Sequence, residues 1–205
     1  MNFGTRIPAS TVIPDEQEIE ALHRRYAPNE HAFDLVFTHC LIVRDLATQL
    51  LTTTVDADLV RAGALLHDVG VYRLYSPDGV LDHAGYLRHG VLGEELVRDV
   101  GWPDRLGRFC SHHTGVGLTR ADVVSQGLPL PVADYLAETP EEELVLYADK
   151  FHSKKTPPVF VSGDTYARSV SRFGAGKAER FDALRSRFGE PDLAALATSY
   201  GHAVI

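Results

Sequence analysis

An all-α fold is predicted, and three observations predict it. Apolar residues recur at helical spacing through most of the chain, short Pro/Gly stretches interrupt that periodicity, and strand-like alternation is nearly absent. The interruptions are Ser76-Pro77-Asp78-Gly79, Gly101-Trp102-Pro103, Gly127-Leu128-Pro129-Leu130-Pro131 and Thr156-Pro157-Pro158.

Residues 15–26 read as a first, mostly exposed helix with Ile19 and Leu22 as its apolar contacts. The strongest helical pattern spans 31–51, with Leu35, Val36, His39, Ile42, Val43 and Leu46 on one face. Asp56 is a good N-cap for a third helix that runs through Leu66 and ends near Gly70. Further helices are expected at about 89–100, 103–112, 119–126, 141–153, 164–173, 177–188 and 191–200. Glu141, Glu142 and Glu143 put negative charge on the first turn of their helix, which the helix dipole favours. Val159-Phe160-Val161 suits a short extended piece, which makes no sheet alone. The expected layout is a helical extension over 1–30, a compact helical domain over 31–155, and a helical tail over 156–205. That tail is expected to pack on the domain or on a second subunit, which would make a homodimer.

With 205 residues, 44% hydrophobic and 23% charged, the chain is neither disordered nor fibrous. The longest stretch free of Asp, Glu, Lys and Arg, 193–205, is shorter than the roughly 18 apolar residues a membrane span needs. Residues 1–8 lack the apolar core of a signal peptide. A net charge of -8 gives no long-range attraction for nucleic-acid phosphates, so general nucleic-acid binding is not expected. Cys40 and Cys110 offer no disulfide framework and are expected reduced and buried, in keeping with a cytoplasmic location. Histidine is the unusual component: ten copies, five of them between His67 and His113.

His39 interrupts an apolar helix face, where a buried imidazole needs partners for its ring nitrogens. His67 and Asp68 close the apolar run Ala62-Gly63-Ala64-Leu65-Leu66, and a carboxylate in such a dry place needs a counter-charge. A divalent cation supplies one, since imidazole nitrogen and carboxylate oxygen suit Fe, Mn, Co, Ni or Zn. His89 opens a helix, His112-His113 precede a Gly-rich break, and Asp149 lies in a mostly apolar stretch of the helix expected at 141–153. Taken singly, each of these residues has an ordinary reading: a core histidine, a dipole-favoured helix end, or a solvated acid.

In order they form His39, His67-Asp68, His89, His112-His113 and Asp149. That order resembles the HD superfamily of metal-dependent phosphohydrolases, whose hallmark is His, His-Asp and Asp on a helical scaffold. The local strings are similar too: Ala-Leu-Leu-His-Asp-Val-Gly over 64–70, Arg-His-Gly-Val-Leu-Gly-Glu-Glu-Leu over 88–96 and Tyr-Ala-Asp-Lys-Phe over 147–151. The resemblance covers about 31–155 and is nearest to small His-Asp-Ile-Gly proteins.

The resemblance implies that His39, His67, Asp68 and Asp149 hold one metal, and that Asp68 bridges to a second held by His89 and His113. His112 is an alternative or additional ligand. It implies two divalent ions such as Fe or Mn, with a small phosphorylated substrate of the nucleotide kind. The Lys that usually follows the His-Asp-Ile-Gly string is absent here, and Arg73 is the expected substitute for holding phosphate and stabilising charge beside Asp68. Lys150 is a further candidate contact to metal or substrate, while Lys154, Lys155 and Arg120 read as solvated charges. His152, one turn past Asp149, is placed to line the pocket. Two alternatives use the same residues: an HD-type di-iron oxygenase, and a binding module that metal merely stabilises. Gly174-Ala175-Gly176-Lys177 lacks the first Gly and the final Ser or Thr of a phosphate loop.

Overall fold

The computed structural model describes residues 12–205. Residues 1–11, the start of the expected N-terminal extension, lie outside the described residues. The helices are α1 (Glu16–Tyr26), α2 (Glu30–Gln49), α3 (Ala57–Leu66), α4 (His89–Asp99), α5 (Asp104–Ser111), α6 (Arg120–Ser125), α7 (Pro140–Asp149), α8 (Gly163–Val170), α9 (Lys177–Phe188) and α10 (Leu193–Tyr200). Two 3-10 helices, Val69–Leu74 and Tyr86–Arg88, link α3 to α4. The fold is all-α, with one very small sheet.

Local chemistry sets the helix starts. Asp15 and Glu18 form a reciprocal capping box on α1. Asn29, Asp56 and Thr139 cap α2, α3 and α7 through their side-chain oxygens. Each such cap contributes about 1 kcal/mol. The helix α3 is apolar on nearly every side, and Leu59, Val60, Ala62, Ala64, Leu65 and Leu66 are all buried. A helix of that kind belongs inside the protein, and α2, α5 and α7 cover it. The most extensive packing joins α4 to α5 and to the 3-10 helix Val69–Leu74.

The structure corrects the expectation for 141–153: α7 ends at Asp149. His152–Ser153 is a strand, β1, paired antiparallel with β2 (Val159–Phe160), which pairs in parallel with β3 (Ala203–Val204). The extended piece at 159–161 is therefore not alone. Two-residue strands have no alternation to read, so both partners were invisible in the sequence. The segment 164–173 resolves into α8 and a 3-10 helix, Ser171–Phe173.

Residues 156–205 pack onto the helices that precede them. Val170, Phe181, Leu184 and Phe188 are buried in the same core as α2 and α3. The Tyr147 ring lies 5.5 Å from that of Phe181 and 6.0 Å from that of Phe188, and its hydroxyl donates to the Gly189 carbonyl at 2.7 Å. Among the described residues no helix is long and apolar enough to cross a membrane.

Candidate metal centre

Six side chains from five segments converge. His39 comes from the middle of α2, His67 caps the C-terminus of α3, and Asp68 follows it. His89 is the first residue of α4, His113 lies just past α5, and Asp149 is the last residue of α7. Asp68 has backbone angles of -106° and 5° and makes no capping hydrogen bond to the 3-10 helix it precedes. That sparsely populated region often carries active-site residues, and the carboxylate is left free to point inward.

The donor atoms form two groups around Asp68. On one side, His39 Nε2 lies 3.0 Å from Asp149 Oδ1, 3.2 Å from His67 Nε2 and 3.3 Å from Asp68 Oδ2. His67 Nε2 is 3.5 Å from Asp68 Oδ2 and 3.6 Å from Asp149 Oδ1. On the other side, Asp68 Oδ1 is 3.3 Å from His89 Nε2 and 3.6 Å from His113 Nε2. These two imidazole nitrogens are 3.0 Å apart. Ligands about 2.1 Å from one ion lie about 3.0–3.4 Å apart in octahedral or tetrahedral geometry. The triads His39–His67–Asp149 and His67–Asp68–His113 are both compact enough to hold an ion.

The chemistry of the donors also fits a cation. The Nδ1 atoms of His89 and His113 lie 2.6 Å and 2.7 Å from the carbonyls of Tyr86 and Cys110. Those nitrogens must donate, so the Nε2 atoms of the neutral rings carry lone pairs. Two such lone pairs meet Asp68 Oδ1, a buried oxygen with no hydrogen-bond partner among the described residues. Three acceptors around one point are mutually repulsive unless positive charge lies between them.

Burial lowers His39 and His89 to about 4 and also lowers His113, which keeps these rings neutral near pH 7. Burial also opposes charge on the carboxylates, yet Asp68 and Asp149 are held well below the usual range. Lys154 and His67 do this for Asp68, and Lys150 and His39 do it for Asp149. For His67, burial is the largest influence and opposes the charge, but Asp68 and Asp149 with the other neighbouring groups together outweigh it, and its pKa is raised.

Comparison with known proteins decides what this arrangement belongs to. The HD domain family model matches residues 36–154. The chain belongs to the HD-domain family.

The HD domain here is 36% identical over 120 residues to an uncharacterised protein of Methanocaldococcus jannaschii, covering 56% of this chain and 64% of that protein. The chain is 34% identical over 154 residues to a tRNA (cytidine(56)-2'-O)-methyltransferase of Picrophilus torridus, covering 75% of this chain but 40% of that protein. The match thus spans less than two thirds of each relative's length. In fold, the chain is similar to the HD domain of the phosphodiesterase PgpH of L. monocytogenes, with a TM-score of 0.53 at 14% identity. That match covers 89% of this chain and 98% of the other.

Within this HD domain the structure does not bring every expected residue to the centre. Arg73 sits on the 3-10 helix Val69–Leu74 and pairs outward with Asp99 at 2.6 Å and Glu95 at 3.4 Å. Two carboxylates on α4 thus hold it away from Asp68. His112 also lies apart. It contacts Ser111 Oγ at 2.6 Å and Arg108 Nη1 at 3.3 Å, with its ring 5.8 Å from that of Tyr135. Adjacent residues at a helix end point in different directions, and His113 is the one that faces Asp68. Lys150 reaches the centre, donating to Asp149 Oδ2 at 2.6 Å and to the His113 carbonyl at 3.0 Å.

One residue of the centre was missed: Lys154, read as a solvated charge, donates to Asp68 Oδ2 and lies 5.6 Å from the Tyr86 ring centroid. The only signal for it was indirect. The family's usual Lys after His-Asp-Ile-Gly is absent from its place, and a buried Asp68 needs a cation from somewhere.

Proposed function

We propose that the chain is a metal-dependent phosphohydrolase that uses two divalent cations, Fe, Mn or similar, on a small phosphoester of the nucleotide kind. One observation carries this reading: the two oxygens of Asp68 face two separate sets of imidazole nitrogens, each 3.3 Å from the nearest. A single carboxylate so placed suits a bridge between two ions. His39, His67 and Asp149 would hold one, and His89 and His113 the other. When bound, such cations would supply Lewis acidity toward a phosphoryl oxygen and acidify water near neutral pH.

The chain's own residues do the rest. Ionised Asp68 and Asp149 orient the imidazoles and set the charge of the centre. Lys154 and Lys150 bring two ammonium groups to those carboxylates, where they offset charge that builds on phosphoryl oxygens. Arg73, paired on the surface, has no part in this account. Net hydrolysis consumes one water and breaks one P–O ester bond, releasing an alcohol or a second phosphate. Two facts support the reading: membership of the HD-domain family and a fold shared with the PgpH HD domain, of which one structure is a complex with cyclic-di-AMP.

The test is elemental analysis of protein purified without chelator, together with a phosphoester panel that includes cyclic dinucleotides and nucleoside phosphates. About two equivalents of metal with phosphoester turnover, both lost in Asp68→Asn, is the expected result. No metal after reconstitution, or turnover unchanged in Asp68→Asn, overturns the reading.

A further inference from the structure

Three of the four imidazoles at the centre are anchored in one way. The Nδ1 atoms of His67, His89 and His113 meet the carbonyls of Ala64, Tyr86 and Cys110, each three residues earlier, at 2.7, 2.6 and 2.7 Å. His67 and His113 stand at helix C-termini, where carbonyls lack helical partners, and His89 follows a 3-10 turn whose Tyr86 carbonyl accepts from both its backbone N–H and its ring nitrogen. His39, mid-way along α2, is anchored differently.

His39 Nδ1 instead lies 2.8 Å from His152 Nδ1, and His152 Nε2 lies 3.0 Å from His202 Nδ1. The three rings are stacked: His152 is 5.1 Å from His39 at 28° and 5.2 Å from His202 at 20°. A neutral imidazole has one ring proton, so these contacts have only two consistent directions. If His39 Nε2 is to offer a lone pair, then His39 Nδ1 donates to His152 and His152 Nε2 donates to His202. The small sheet explains how the rings come together. His152 begins β1 and is paired with Phe160, while His202 immediately precedes β3 on the other side of β2.

We propose that His152 is a positioning residue for the cation held by His39, His67 and Asp149: it takes the Nδ1 proton of His39 and fixes the ring with Nε2 as a metal donor. His202 fixes His152 in turn, so the sheet that joins residues 152, 160 and 204 serves the metal centre from behind. This rests on the two-cation reading above. Second-layer partners of metal-binding histidines are usually carboxylates, carbonyls or water, and their loss typically weakens metal binding 10–100-fold.

The test isolates the first group in a His89→Ala background and follows Mn2+ binding by EPR of the free ion. Melting in EDTA checks folding separately. One equivalent is expected, lost when His39→Ala is added. Adding His152→Phe, which keeps an aromatic ring without an acceptor, weakens binding 10–100-fold. Adding His152→Asn, whose Oδ1 replaces the Nδ1 acceptor, restores affinity to within about threefold. His202→Phe, at a partly exposed position, weakens binding less than His152→Phe does. Wild-type affinity in His152→Phe overturns the proposal, and so does an Asn variant as weak as the Phe variant. If the background protein binds no Mn2+, or His39→Ala changes nothing, the two-cation reading itself falls and the proposal falls with it.

Discussion

Gly70 lies so close to His89 that a Cβ on it would stand 2.0 Å from the His89 carbonyl oxygen and 2.3 Å from the Gly93 nitrogen. The gap between the 3-10 helix and α4 is therefore a hydrogen atom wide, and it sets how near His89 comes to Asp68. Gly70→Ala must push α4 outward. Overpacking typically costs about 1–3 kcal/mol, and a backbone clash lies at the top of that range or beyond it. If the parent holds the two ions proposed above, elemental analysis should then show about one equivalent in the variant, with the His39 group intact. Unchanged stoichiometry would show that α4 tolerates the added methyl.

Lys154 and a bound cation address the same oxygen of Asp68. Without metal, Lys154→Met leaves a carboxylate that is 1% exposed without its main counter-charge. Breaking such a buried pair costs about 3–5 kcal/mol. With saturating Mn2+ the cation supplies that charge, and the deficit shrinks. Melting of parent and variant, each in EDTA and in Mn2+, measures both differences. Equal deficits in the two conditions would mean that Lys154 and the cation do not share Asp68.

His67 is expected to carry a proton in the metal-free protein, because Asp68, Asp149 and their neighbours together raise its pKa against the opposition of burial. A metal donor must give that proton up. Calorimetric titration of Mn2+ at pH 7 in two buffers of different ionisation heat should show release of about one proton per first cation. Identical heats in the two buffers would place His67 neutral from the start.

His23 is a core histidine and no ligand: its ring contacts the Tyr72 hydroxyl at 2.9 Å and the Leu65 carbonyl at 2.8 Å. Burial lowers its pKa from 6.5 to about 4. The unfolded chain therefore binds a proton that the folded chain refuses between those values. Stability is complete above about pH 6.5 and falls as the pH drops toward 4, by roughly 3 kcal/mol for this group. Urea unfolding across that range should show a slope for His23→Gln that is lower by up to about 1.4 kcal/mol per pH unit. An unchanged slope would mean that His23 is not buried in its neutral form.

The residues that converge were legible because each sits in a short string of its own: His67-Asp68 at an apolar helix end, His89 opening α4, Asp149 within Tyr-Ala-Asp-Lys-Phe. Their neighbours in sequence carried the signal. Lys154 and His152 were not legible in the same way. Lys154 meets Asp68 across 86 residues, and His152 meets His39 across 113; His152 begins, and Lys154 follows, a strand too short to show a pattern. Arg73 failed for the converse reason: the string around it suggested a place near phosphate, but Glu95 and Asp99 on α4 turn its guanidinium to the surface.

His39 and Asp149 stand 3.0 Å apart and are separated by 110 residues of chain. Bringing two such distant points together costs about 4 kcal/mol of loop-closure entropy before anything is gained. The packing of α2 against α7 meets that cost. A partly folded chain in which α7 has not docked therefore has its imidazoles but not its first binding group. On the two-cation reading, loading of that group would follow the docking of α7, and an ion held there would clasp α2 to α7.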